Sequence, residues 1–135
     1  MGVRVAVVGL VLAGLFACAM PAFGPEVRTL AAARQACNRQ YPRRVGLYLP
    51  HAQCVNAAVE QFAIPTARYP DLVRLQERVR AELCEQIDSR RISPRSGERR
   101  MAEADRLIAE AERSRDAADR DGAARRVAAV EAIVR

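Results

Sequence analysis

Lysine and tryptophan are absent from this chain of 135 residues, and tyrosine and phenylalanine supply only three residues each. There is a single histidine, His51, so nucleophilic catalysis would have one imidazole to serve as base. Ser89, Ser93, Ser96 and Ser114 all fall in polar turn or helix contexts, which gives that base no obvious nucleophile. Carboxylates are plentiful in the last third, but all except Asp105 have an arginine one turn away. Such a neighbour depresses a carboxylate's pKa, the reverse of what a general acid requires. The composition therefore argues against an enzyme and calls for no cofactor. Strand-like alternation and repeats of 20 to 50 residues are also missing, which leaves an all-α protein.

Half of the residues count as hydrophobic, but 26 of them are alanine, which buries little surface. All 22 basic residues are arginine, against 16 acids, for a formal charge of +6. The excess is not a nucleic-acid face. Residues 68–135 hold 16 arginines and 14 acids, a mixed-charge helical surface, and stacking aromatics are lacking in that region. Residues 20–67 hold 5 arginines and 2 acids, with a small cluster at Arg39, Arg43 and Arg44 that could meet an anionic surface.

The one long apolar run, Val5 to Ala19, follows the amino terminus and Arg4 as in a bacterial signal peptide. Three fates fit the letters. Ala17-Cys18-Ala19 offers small residues to a signal peptidase, releasing a soluble chain from Met20. Leu15-Phe16-Ala17-Cys18 resembles a lipobox in which Cys18 would be acylated, although Phe16 is bulky for its position. An uncleaved anchor is the third, since no charge falls between Arg4 and Glu26. All three put the rest of the chain outside the cytoplasm, and membrane contact follows only from the second and third.

Of the 116 residues after Ala19, 25 are Val, Leu, Ile, Met or Phe, a thin core for which a covalent staple is expected. Cys37, Cys54 and Cys84 are an odd number in an oxidising compartment. We favour Cys37 with Cys54, because each lies on a short predicted helix and Pro42, Gly46 and Pro50 let the chain turn back between them. Closing that loop is worth about 3 kcal/mol by chain entropy. Cys84 is then a free thiol, an intermolecular bridge or an alternative partner. His51 and Cys54, three apart on one helix face with Cys37 opposite, form the alternative metal set.

A first helix is expected from Gly24-Pro25-Glu26 to Tyr41, then a packed loop over Arg43 to Leu49. A second runs from His51 to Ala63 with Val55, Val59 and Phe62 inward. The third opens at Pro70-Asp71 and carries the clearest stripe, Leu72, Leu75, Val79, Leu83 and Ile87. Ser93-Pro94 caps a fourth, long and charged, whose start should form an antiparallel hairpin with the third. The boundaries are thus a signal segment over 1–19, a small helical domain over 25–92 and a charged alanine-rich segment over 93–135. Opposite charges recur at spacing four in that segment: Arg99 with Glu103, Arg106 with Glu110, Arg115 with Asp119, Asp116 with Arg120 and Asp121 with Arg125. Gly122 is the expected break, and the tail beyond it is expected to project or to meet another chain. Tyr41 and Tyr69, each before a proline, are expected at core edges. Asn56, a poor helix former inside a helix, is expected to bond a loop carbonyl.

The ordered set Cys37, Tyr41-Pro42, Cys54-Val55-Asn56-Ala57-Ala58, Tyr69-Pro70-Asp71-Leu72 and Ile92-Ser93-Pro94 resembles a group of short exported helical proteins of alphaproteobacteria. The resemblance spans about residues 26–112. It implies a signal sequence and a helical body, is compatible with a structural disulfide, and supplies no catalytic residues. The expectation is a non-enzymatic envelope protein that binds an envelope partner or self-associates, with no nucleic acid involved. The competing expectation is a binder of a small ligand or metal through His51 and the cysteines.

Overall fold

The computed structural model describes residues 23–24 and 26–135. The expected signal segment over 1–19, with Cys18 and the expected cleavage site after Ala19, lies outside the described residues. The rest is all-α, with five helices and one short 3-10 turn: α1 Leu30–Gln40, α2 Tyr48–Phe62, the turn Ile64–Thr66, α3 Pro70–Asp88, α4 Pro94–Asp116 and α5 Arg120–Ala132.

Caps decide where these helices start. The Thr29 hydroxyl accepts from the Ala32 N–H at 3.2 Å, so α1 begins five residues after the expected Gly24-Pro25 start. In α2 the departure runs the other way: the helix begins three residues before His51 and takes in Pro50, whose missing N–H costs nothing in a first turn. Leu47 offers no side-chain cap. The cap arrives instead from the far end of α3, where Asp88 Oδ1 accepts from the N–H groups of Gly46 (2.6 Å) and Tyr48 (3.2 Å), and Oδ2 from that of Leu49 (2.8 Å). Gly46 sits at φ +94°, a conformation open to glycine, which turns its amide toward that carboxylate.

The hydrophobic stripe of α3 behaves as its period predicts: Leu72, Leu75, Val79, Leu83 and Ile87 are all buried. Together with Ala104, Ile108 and Ala111 of α4 and Val130 of α5, the first four form the larger core cluster. A second cluster gathers Cys37, Cys54, Val55 and Val59, with Phe23, Leu30, Tyr41 and Val73 packed against it. The Cys37–Cys54 disulfide lies at its centre, with 5.7 Å between the Cα atoms. Both clusters lean on α3, and the turn at residues 89–93 joins two helices of one core.

Successive helices run antiparallel. Along α3 and α4, Ile87 faces Gly97 at one end, Gln76 meets Asp105 in the middle, and Asp71 takes both guanidinium nitrogens of Arg115 at 2.8 and 2.6 Å at the other. A Cβ on Gly97 would stand 2.5 Å from Ile87 Cδ1, so glycine there lets the two helices close.

The charged segment is two helices, and its tail does not project. The chain turns at Ala117 to Asp119, with Ala118 in the left-handed region at φ 58° and the Asp119 N–H bonded to the Ser114 carbonyl at 2.8 Å. Gly122, the expected break, is buried in the first turn of α5, where Asp119 caps its N–H at 2.8 Å. Val130 is fully buried, and the carbonyls of Ile133 and Val134 accept from Arg100 (3.2 Å) and Gln86 (2.7 Å). The apolar residues after Gly122 are out of phase with α4 because they belong to a separate helix packed back on the same core.

Two of the expected spacing-four pairs are replaced by tertiary ones. Arg115 bonds Asp71 rather than Asp119, and Asp116 takes Arg68 (2.8 Å) and the Tyr69 hydroxyl (2.7 Å) rather than Arg120. Arg106 does pair with Glu110 as expected, and with Glu103 as well, while Arg126 joins Glu110 from α5 at 3.2 Å. Tyr69, with Arg68 and Arg115 over its ring at 5.4 and 5.2 Å, and Tyr41, against the disulfide cluster, both stand at core edges.

Two features of this packing have measurable consequences. A left-handed alanine costs about 1 kcal/mol relative to glycine, so Ala118→Gly should raise stability in urea unfolding by about that amount. Glu77 of α3 is buried with one carboxylate oxygen lacking a hydrogen-bond partner, and burial followed by the charge of Glu60 pushes its pKa up to about 6. A raised carboxyl favours folding while protonated and loses that contribution as the pH climbs from the ordinary carboxylate range through about 6. Glu77→Gln should therefore stabilise the fold near neutral pH by on the order of 1 kcal/mol, allowing for screening, with the difference fading in unfolding curves recorded in acid.

Candidate functional site

The disulfide ties α1 to α2, and Nε2 of His51 reaches Asn38 Oδ1 on α1 at 2.7 Å. Asn56 ties α2 to α3: its Nδ2 donates to the Glu77 carbonyl at 2.9 Å and its Oδ1 accepts from Arg80 Nη1 at 2.5 Å. The carbonyl that Asn56 bonds is thus in the middle of a helix, not in a loop as expected. What the side chain does beyond that is hold Arg80.

Between the α1–α2 hairpin and the α3–α4 hairpin these ties leave a cleft of about 420 Å³, a volume in the range of small-molecule sites. Val55, Leu83, Ile87 and Met101 make its apolar floor, and Arg34, Arg43, Arg80, His51, Glu98 and Asp105 give it charge or polarity. Arg43 lies 3.9 Å from Glu98, and Asp105 accepts from Gln76 Nε2 at 2.7 Å. Among the described residues neither Arg34 nor Arg80 is ion-paired. Burial, and then the neighbouring Arg34 charge, lower the Arg80 pKa, although a guanidinium stays charged at any physiological pH. Burial lowers the His51 pKa, helped by Arg43 and Arg80, which favours a neutral imidazole.

The candidate residues read from the sequence are dispersed differently from the expectation. Cys37 and Cys54 are bonded to each other, so neither is available as a thiolate ligand, and His51 loses both partners of the proposed metal set. Among the described residues no group of three histidine, cysteine or acidic side chains could hold a metal ion. Cys84 is a free thiol, half buried on the cleft wall. Arg39, Arg43 and Arg44 do not act as one cluster: Arg43 reaches the cleft, while Arg39 is exposed at the end of α1 and Arg44 is exposed in the turn before α2. Among the described residues no helix is long and apolar enough to cross a membrane.

Arg34, Arg80 and the second role of Asn56 were not foreseen. The sequence signal for the two arginines is weak: only seven arginines have an acid at spacing four, and Arg80, with Gln76 and Cys84 there, and Arg34, with Leu30 and Asn38, are among the many that do not. Such an arginine must find its counter-charge elsewhere or go without. Compared with protein-family models, curated proteins and solved structures, the chain has no match.

The Cys84 environment is directly testable. Burial, and then the charge of Asp88, push its pKa up to about 11. Reaction proceeds through the thiolate, so iodoacetamide near pH 8 should modify the folded, oxidised protein about 100-fold more slowly than an unstructured peptide thiol. Unfolding should restore the ordinary rate, and mass spectrometry with a peptide control reads both.

Proposed function

We propose that this chain is an exported, non-enzymatic binding module whose ligand seats in the cleft between its two helical hairpins. The observation that carries the reading is Arg80. A half-buried guanidinium, oriented by Asn56 and set beside a second arginine, goes unpaired in a chain that pairs many of its other charges. Burying charge without a partner is unfavourable, and such a group is a common mark of a recognition site.

Other features support the rest of the proposal. Export accords with the apolar amino-terminal run and with the disulfide, a bond that persists in oxidising compartments. The non-enzymatic half rests on the chemistry of the cleft: its thiol is held protonated, and its imidazole is engaged with Asn38. A small ligand is favoured over self-association through the tail, because Val127, Val130, Ile133 and Val134 already pack on the chain's own core.

The test uses 8-anilinonaphthalene-1-sulfonate, a fluorescent amphiphile, with the oxidised protein. Saturable binding at one site is expected, along with slower alkylation of Cys84 when the dye is bound. Met101→Trp, which fills the cleft without changing a charge, should abolish binding while the helical circular dichroism is kept. If binding survives that substitution and leaves Cys84 equally reactive, the cleft is not the site.

A further inference from the structure

The charges that line the cleft narrow what it can take. Arg43 is matched by Glu98 at the rim, and His51 is held toward its neutral form. That leaves Arg34, Arg80 and Asp105, so the cleft lining carries one positive charge in excess. Asp105 does not cancel it by contact: its Oδ1 is occupied by Gln76 Nε2 at 2.7 Å, and it forms no ion pair with either arginine.

Arg80 has five N–H donors in a planar fork, and its Nη1 is committed to Asn56. The same Asn56 is anchored to the α3 backbone, so the guanidinium is set in place before any ligand arrives. An orienting partner of this kind reduces the rotamer freedom that a long side chain loses on binding. The second guanidinium, on α1, approaches from across the cleft, and the two repel each other until an anion lies between them. Below them the lining is apolar, made by Val55 from α2, Leu83 and Ile87 from α3 and Met101 from α4.

Resting on the cleft reading above, we infer that the ligand is a small amphipathic anion, with a carboxylate or phosphate-ester head held between Arg34 and Arg80 and an apolar body laid on Val55, Leu83, Ile87 and Met101. The head supplies the contacting counter-charge that Arg80 lacks, since Asp105 and Glu77 act on it without forming an ion pair. The body replaces water on a surface that has no polar use for it. A bare inorganic anion would satisfy the arginines but leave the floor wet, and a neutral alcohol would do the opposite.

Isothermal titration of the oxidised protein with octanoate, octyl phosphate, octanol, acetate and inorganic phosphate separates these contributions. One or both of the chain-bearing anions should bind at one site, with octanol and the headless anions at least about tenfold weaker. Arg80→Gln and Arg34→Gln should each weaken the anion by about tenfold or more and leave octanol unchanged, whereas Asp105→Asn should tighten it. Asn56→Ala, which leaves both charges in place, should weaken the anion less than Arg80→Gln. Equal affinity for octanol and octanoate, or arginine variants that bind octanoate like the parent, would overturn the inference even where Met101→Trp still abolishes dye binding. Inorganic phosphate binding as tightly as octyl phosphate would overturn the amphipathic part. If the dye binds independently of Met101 and Cys84, the cleft reading itself falls.

Discussion

Three backbone amides at the start of α2 converge on the carboxylate of Asp88, and much of the arrangement on that side of the molecule follows from this one contact. An α-helix begins with unsatisfied N–H groups and a partial positive charge, and an anion placed there satisfies both. Here the anion comes from about 40 residues further along the chain, so capping α2 also fixes its register against α3. In that register Asn56 meets the Glu77 carbonyl and Arg80, and Glu60 meets Arg74. The disulfide then hangs α1 on α2, which brings Arg34 to the cleft.

α3 serves as a wall shared by two modest cores. One face carries large aliphatic residues toward α4 and α5; the other carries Val73, Glu77 and Arg80 toward α1 and α2. The first side resembles the inside of an ordinary helical bundle. The second has fewer apolar residues and is held by a disulfide, a distant cap and an asparagine bridge. A side so constructed can hold polar groups at partial burial, as Glu77 and Arg80 are held, because directional bonds rather than close packing maintain the spacing. The cleft lies on that second side.

The arginines show how local and tertiary pairing compete. A spacing-four pair contributes only a few tenths of a kcal/mol, so any well-oriented cross-helix carboxylate can capture the same guanidinium. Arg115 and Asp116 leave their neighbours along the chain for Asp71, Arg68 and Tyr69, and in doing so pin the open end of the α3–α4 hairpin. Arg106 keeps its helix partners and through Glu110 is linked to Arg126 of α5. Against that background Arg80, which forms no ion pair among the described residues although Glu77 and Asp105 lie near enough to act on its charge, stands apart.

The helical class, the stripe of α3, the Ser93 cap and the Cys37–Cys54 pairing were legible in the amino-acid sequence, because each rests on local periodicity, a capping residue or a short loop. The start of α2, the turn before α5 and the cleft were not. An unassisted Leu47 gives no sign of a helix that is capped from Asp88, and an alanine at the left-handed position hides a turn that glycine would have announced. Gly122 drew attention as a breaker although it sits in a first turn, where its flexibility costs little. Arg34 and Arg80 lie 46 residues apart, and no local pattern joins them. What the sequence determined by itself is therefore the set of helices and the bond that staples two of them. Which charges were left without partners, and that two of them share one cleft, was decided by tertiary structure alone, since electrostatic pairing depends on distance through space and not along the chain.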